Sequence, residues 1–224
     1  MVITIDGTVG SGKSTAAAGL ARRLDARHLD TGAMYRALTL KALETGADLE
    51  DAEALETLAR VATVTLESGP DGNRVLLDGR DVTDVIRENR VSTNSHYLAR
   101  TRGVRWVLVA AQRDIARQAD TVVAEGRDQG TVVFPDATVK FFLDADAEVR
   151  ARRRQLELEA RGQVTSYRQV LAELRERDER DSTREADPLR AAEDAVRVDT
   201  THLGVDAMIE TLVREIRRGT KGNA

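Results

Sequence analysis

Short apolar runs alternate with stretches of helical spacing along most of this chain. Val2 to Ile5 reads as a short buried strand that runs at once into a Gly-rich turn. Between Thr15 and Ala26, Ala16, Leu20 and Leu24 recur at helical spacing. Arg27 to Asp30 is a second short strand, and Ala33 to Leu43 is helical with Gly46 as its stop. Asp51 to Arg60 forms a further helix. The period then drops to two. Val61 to Glu67 alternates as a strand, Gly69-Pro70-Asp71-Gly72 is a turn, and Asn73 to Leu77 is a second strand. Asp78-Gly79 turns the chain again into Val82 to Ile86.

Helical pattern resumes from about Glu88 to Ala119, with a break near Gly103. Thr121 to Ala124 is a strand, followed by the loop Glu125-Gly126-Arg127-Asp128-Gln129-Gly130, and Val139 to Leu143 is another buried strand. Ala147 to Ala160 is a helix. Ser166 to about Asp181 is a second, opened by a Ser166-x-x-Gln169 capping box. Ala195 to Val198 is a last strand, Val205 to Arg217 a last helix, and Gly219 to Ala224 a loose tail. Alternating strands and helices imply a parallel sheet with helices on both faces. The meander interrupts that rhythm as a small β insertion.

Composition narrows the picture. The 224 residues suit one domain, and 41% hydrophobic residues with only 3% aromatics imply an aliphatic, Ala-rich core. A formal net charge of −4 argues against non-specific binding to nucleic acid or anionic membranes. No apolar run approaches membrane-spanning length, and the first residues lack the basic start of a signal peptide. With no Cys, disulfide and thiolate chemistry are excluded, which fits the cytoplasm; three His make a His-based metal site unpromising. Of 34 Lys+Arg, only Lys13, Lys41, Lys140 and Lys221 are lysines. Such a bias reflects either genomic base composition or a need for planar forks that grip phosphate.

The strongest chemical signal is Gly7-Thr8-Val9-Gly10-Ser11-Gly12-Lys13-Ser14, which fits G-x-x-x-x-G-K-[ST] between a strand and a helix. Glycines let the backbone curl so that successive N–H groups face one anion, and the helix start adds partial positive charge. Lys13 can reach the β- and γ-phosphates of a nucleoside triphosphate, and Ser14 can ligate Mg²⁺.

Four other clusters carry charge where α/β sheets bind ligands. Asp30-Thr31-Gly32-Ala33-Met34-Tyr35-Arg36 ends a strand and starts a helix; it is either ordinary capping or a ligand contact through Arg36. Glu125 comes off the end of a strand, where a carboxylate can hold Mg²⁺ or its water, and Arg127 and Asp128 follow; the bland alternative is a solvated turn with a salt bridge. Arg177, Asp181 and Arg184 are spaced to share one helical face, which suits a phosphate plus a sugar hydroxyl, or else an exposed helix laced by ion pairs. Arg150, Arg152, Arg153 and Arg154 could close over a nucleotide as a lid or form an exposed basic face.

These blocks together resemble the bacterial cytidylate kinase family. The likeness rests on ITIDG-x-x-GSGKST at Ile3 to Thr15, LDTGAMYRA at Leu29 to Ala37, EGRD-x-GTVVFPDA at Glu125 to Ala137, and ERD-x-RDSTR at Glu176 to Arg184. It implies a P-loop NTPase fold, three-layer α/β/α with a parallel central sheet. A single domain is implied, with core 1–60, 88–147 and 186–219, a β-rich acceptor-binding insert at about 61–87 and a helical lid at about 148–165. By position it implies that Gly7, Thr8, Val9, Gly10, Ser11, Gly12, Lys13, Ser14 and Thr15 hold ATP. Ser14 and Glu125 would hold Mg²⁺. Thr31, Tyr35, Arg36, His96, Arg105, Arg127, Asp128, Arg177, Asp181 and Arg184 would bind CMP or dCMP, with Asp181 on the ribose and Arg105 and Asp128 on the cytosine. The implied catalytic set is Lys13, Arg127, Arg177, Arg184, Arg153 and Arg154. The chain departs from the family at His96, where Ser is usual, at Arg102, often Pro, and at Gln129, usually apolar; these positions bear on base choice more than on phosphoryl transfer.

The implied reaction transfers the γ-phosphoryl of ATP to CMP or dCMP, with a cytoplasmic monomer, small nucleotides as the only partners, and neither membrane nor nucleic acid polymer involved. The alternatives are a P-loop kinase for another acceptor such as UMP, and a non-catalytic nucleotide-dependent switch.

Overall fold

The structure is a computed structural model and describes residues 1–69, 72–160 and 162–221. The chain forms two compact units, Met1–Ala26 with Val123–Ala224, and Arg27–Val122.

In the first unit, strand β1 (Val2–Gly7) runs parallel to β7 (Val139–Asp144), and β7 parallel to β8 (Val196–Asp199). The strand order is β6-β1-β7-β8, with β6 at Val122–Glu125. β1 and β7 read as near-continuous apolar runs because a parallel strand is covered on both faces. One face is closed by α1 (Lys13–Leu24) and α8 (Val205–Lys221). Ala16, Ala17, Leu20 and Ala21 of α1 meet Met208, Leu212, Val213 and Ile216 of α8 over Ile3, Ile5, Phe141 and Leu143. This core is aliphatic and Ala-rich, as the 3% aromatic content implies. Helices α6 (Ala147–Ala160) and α7 (Tyr167–Thr183) pack on each other through Ala151, Val170 and Leu174.

In the second unit, β2 (Arg27–Asp30) leads into α2 (Thr31–Thr45), capped by the Asp30 side chain, which accepts from Ala33 N–H at 2.8 Å. α3 (Ala52–Val61) is capped likewise by Asp51. Strands β3 (Val64–Gly69), β4 (Gly72–Leu77) and β5 (Arg80–Asp81) form an antiparallel sheet. Pro70 and Asp71 of the expected turn lie outside the described residues, while Gly69 and Gly72 on either side are paired. Helices α4 (Asn89–Arg100) and α5 (Arg102–Arg117) pack on α2 and α3 respectively.

Several expectations need correction. Val82 to Ile86 is not a strand: β5 ends at Asp81 and Val85–Arg87 is a 3-10 turn. The Thr83 hydroxyl donates to Asp81 Oδ1 at 2.6 Å and accepts from Val75 N–H at 2.9 Å, ending the ladder locally. The helix break falls at Thr101, not Gly103, which lies inside α5. An added Cβ there would meet the Glu56 side chain, whose partly exposed carboxylate is free to swing aside. The segment Gln129–Val133 is a π-helical turn rather than open loop. The capping box is half formed: Ser166 Oγ accepts from Gln169 N–H at 3.2 Å, but the Gln169 amide donates to Glu173 instead of reaching back. Finally, α8 continues through Lys221, so the expected tail from Gly219 is helical in its first residues; 222–224 lie outside the described residues.

Candidate active site

The phosphate loop follows β1 and opens α1, whose N-terminus carries no side-chain cap, so its first-turn amides stay available to an anion. Lys13 is buried, 6% exposed, and its Nζ donates to Thr8 O at 2.5 Å and Ser11 Oγ at 3.5 Å. The loop is tied to neighbouring strand ends. Thr8 Oγ1 donates to Asp144 Oδ1 at 2.7 Å, and Thr200 Oγ1 to Ser11 O at 2.9 Å. Ser14 Oγ donates to Glu125 Oε2 at 2.6 Å, so the two expected Mg²⁺ ligands are neighbours. Among the described residues no group of three or more His, Asp or Glu could cage a metal. Two hard oxygen donors suit Mg²⁺, which keeps waters and takes phosphate oxygens rather than an all-protein shell.

Around this loop the same unit gathers Arg127, Asp128, Arg177, Asp181 and Arg184. Arg127 Nε donates to Asp181 Oδ2 at 2.7 Å. Arg184 Nη2 lies 3.9 Å from Asp128 Oδ2, both side chains nearly buried, and Arg184 also donates to Asp187 O from Nε at 2.8 Å and Nη2 at 2.5 Å. Burial holds the Lys13 ammonium well below its ordinary pKa, the Arg127 and Arg177 guanidinium groups push it further down, and Glu125 and Asp181 oppose them. Burial pushes Asp181 up, but Arg127 and Arg177 prevail and hold it below the usual carboxylate range. Burial likewise opposes the charge on Arg127, and Asp181 and Glu125 more than restore it.

Arg184 is the C-cap of α7, which ends at Thr183; its φ of −58° and its N–H bond to Arg180 O at 3.1 Å keep it in register with Arg177 and Asp181, and its guanidinium reaches Asp128. Arg150 is not part of an exposed basic face: it is 5% exposed and bonded to Val9 O and Asp178. Arg153 donates to Thr200 O at 2.6 Å, and Arg154 pairs with Glu157 at 2.8 Å.

Asp6 escaped the sequence reading. Both its carboxylate oxygens accept main-chain N–H groups, from Gln129 at 2.9 Å and Gly130 at 2.8 Å, so it fixes the loop that carries Arg127 and Asp128. Burial pushes its pKa up to about 6 despite those bonds. The only signal in the sequence is an acid directly before Gly7.

The second unit holds a cluster of its own. Arg36 pairs with Asp30 at 3.3 Å, and its buried Nε has no hydrogen-bond partner. Burial pushes Asp30 up, yet Arg36 and the Ala33 amide hold it below its ordinary value. Thr31 is buried beside them in sequence. Arg105, 2% exposed, donates from Nη1 to the Tyr35 hydroxyl at 3.3 Å. His96 lies on α4, its Nδ1 2.8 Å from Thr93 O and its ring tilted 36° to that of Tyr97 with centroids 4.1 Å apart.

A phosphate loop between a parallel strand and a helix, with a Ser–Glu pair at its end, defines a P-loop NTPase of the three-layer α/β/α class. Solved structures agree on the fold alone. An uncharacterized protein from Eubacterium ventriosum ATCC 27560 superposes with a TM-score of 0.53 at 13% identity, covering 97% of this chain and 98% of that one. A gluconokinase from Sinorhizobium meliloti 1021 gives 0.50 at 15% identity, covering 97% and 91%. The family follows from sequence. The profile described as "Cytidylate kinase" matches residues 3–218. A cytidylate kinase of Rhodococcus jostii (strain RHA1) is 46% identical over 220 residues, 98% of this chain and 96% of that protein. One of Pseudomonas aeruginosa (strain UCBPP-PA14) is 46% identical over 219 residues, 97% and 95%. The chain belongs to the cytidylate kinase family.

Proposed function

We propose that this protein transfers the γ-phosphoryl group of ATP to CMP or dCMP, giving ADP and CDP or dCDP, as a cytoplasmic monomeric enzyme of pyrimidine nucleotide metabolism. The observation that carries the reading is the phosphate loop itself, with buried Lys13 inside it and Ser14 at its end bonded to Glu125 at 2.6 Å. Burial, with Arg127 and Arg177 nearby, disfavours the Lys13 ammonium, and bound phosphate groups would favour it.

Catalysis on this reading is positioning plus charge stabilisation. The turn from Gly7 to Thr15 holds the triphosphate of ATP through main-chain amides and Lys13. Ser14 and Glu125 would hold Mg²⁺, which would supply positive charge to offset that of the phosphates. The acceptor phosphate is already an anion and needs no strong base. Arg36, Arg127, Arg177 and Arg184 grip it and aim it in line, while Asp181, kept ionised by Arg127, accepts from the ribose. Arg105 and Asp128 face the cytosine, whose N4 amino group is a donor a carboxylate can meet; uracil offers a carbonyl there. Thr31, Tyr35 and His96 complete the acceptor pocket. The segment at about 148–165, with Arg153 and Arg154, serves as the lid, and the insert at about 61–87 closes on the acceptor.

The direct test is a coupled ADP-release assay on the purified protein with ATP, Mg²⁺ and CMP. Turnover dependent on all three supports the reading. ADP release that ignores the acceptor, or ATP binding with no transfer to any nucleoside monophosphate, contradicts it.

A further inference from the structure

We infer that Arg150 and Asp178 are positioning residues that hold the two peptide groups flanking Val9 in the phosphate loop and thereby set the loop's affinity for a triphosphate. Arg150 is almost fully buried on the first turn of α6, where its Nε is anchored on Ala145 O at 2.8 Å. From there Nη1 donates to Val9 O at 3.0 Å and to Asp178 Oδ2 at 2.6 Å. The other Asp178 oxygen accepts from Val9 N–H at 3.4 Å. The N–H and C=O of one loop residue, which belong to the two peptide groups flanking its Cα, are thus tied to one ion pair. The approach is close: an added Cβ on Gly10 would come within 3.2 Å of Arg150 Cβ, and Gly10 has φ 75. The Val9 side chain packs against the small α6–α7 core of Ala151, Val170 and Leu174.

The clamp matters because a phosphate loop binds through the direction of its amides, and a peptide free to turn loses that direction. It also comes from α7, which offers Asp178 to the loop and, about 100° round the helix, Arg177 next door. Neither Arg150 nor Asp178 needs to touch a nucleotide to act.

This inference rests on the proposed use of Gly7 to Thr15 for ATP, and its test is read on ATP binding so that the two can fail separately. ATP affinity by calorimetry, KM for ATP, and CMP affinity without ATP are measured for wild type, Asp178→Asn and Arg150→Lys. Both substitutions nearly conserve volume, and melting curves and circular dichroism report folding. The expected result is ATP binding weakened roughly tenfold in both variants, the scale of one lost charged hydrogen bond, with CMP affinity changed less than twofold. ATP affinity within twofold of wild type, or ATP and CMP affinities falling in parallel with melting temperature, would overturn the clamp and leave a purely structural ion pair. Wild type that binds ATP without phosphorylating CMP would remove the proposed activity, and the clamp would still be judged on ATP affinity.

Discussion

Lys13 and Asp6 are both ionisable and both buried, and burial disfavours the charged form of each. Lys13 loses proton affinity to burial and to Arg127 and Arg177; phosphate groups restore it. Lys13→Ala is expected to abolish phosphoryl transfer while leaving the fold intact, checked by turnover at saturating ATP beside an unchanged circular dichroism spectrum. Asp6 has its pKa raised from 3.8 to about 6, so its neutral form is favoured in the folded state. Its relative contribution to stability is therefore complete below pH 4 and lost as pH rises through 6. Denaturation of wild type and Asp6→Asn at pH 4 and pH 7 should show wild type gaining roughly 3 kcal/mol on the variant at the lower pH; a pH-independent difference contradicts that. Asp128→Asn is expected to shrink the preference for CMP over UMP in kcat/KM, and an unchanged ratio counts against its role at the base. Legibility at this scale follows the span of each contact. The phosphate loop is contiguous, so Gly7 to Ser14 announce themselves. Asp6, Arg150 and Asp178 bond mainly to main-chain atoms of distant residues, which no side-chain pattern encodes.

At the scale of elements, β2 and α6 match their predicted bounds. Failures occur where local chemistry overrides period. Val82 to Ile86 has strand composition, but Thr83 satisfies the Asp81 carboxylate and the Val75 amide, and the chain turns. Gly103 suggests a break, but the chain is helical there and the break falls two residues earlier, at Thr101. Arg184, the C-cap of α7, keeps its helical register with Asp181 through its N–H bond to Arg180 O at 3.1 Å. The start of α7 offers a clean check. Ser166 Oγ accepts from Gln169 N–H without a reciprocal bond from Gln169, so Ser166→Ala is expected to cost about 1 kcal/mol in denaturant unfolding. A cost indistinguishable from zero would mean that the cap is satisfied by water.

At the scale of the whole molecule, strand and helix alternation announced the parallel sheet, and the cytidylate kinase match across residues 3–218 agrees with it. On the proposed reading the acceptor has a binding site of its own, distinct from the phosphate loop. CMP alone, at about a hundred times its Kd, is then expected to raise the melting temperature by about 5–10 °C, and a shift seen only with ATP would point to a nucleotide switch. The measurement that bears most directly on the central claim is turnover with CMP, dCMP, UMP and AMP compared at fixed ATP and Mg²⁺. The account predicts kcat/KM for CMP or dCMP about tenfold or more above UMP and AMP, the scale of one base-edge contact. Equal or faster turnover of UMP or AMP would contradict it.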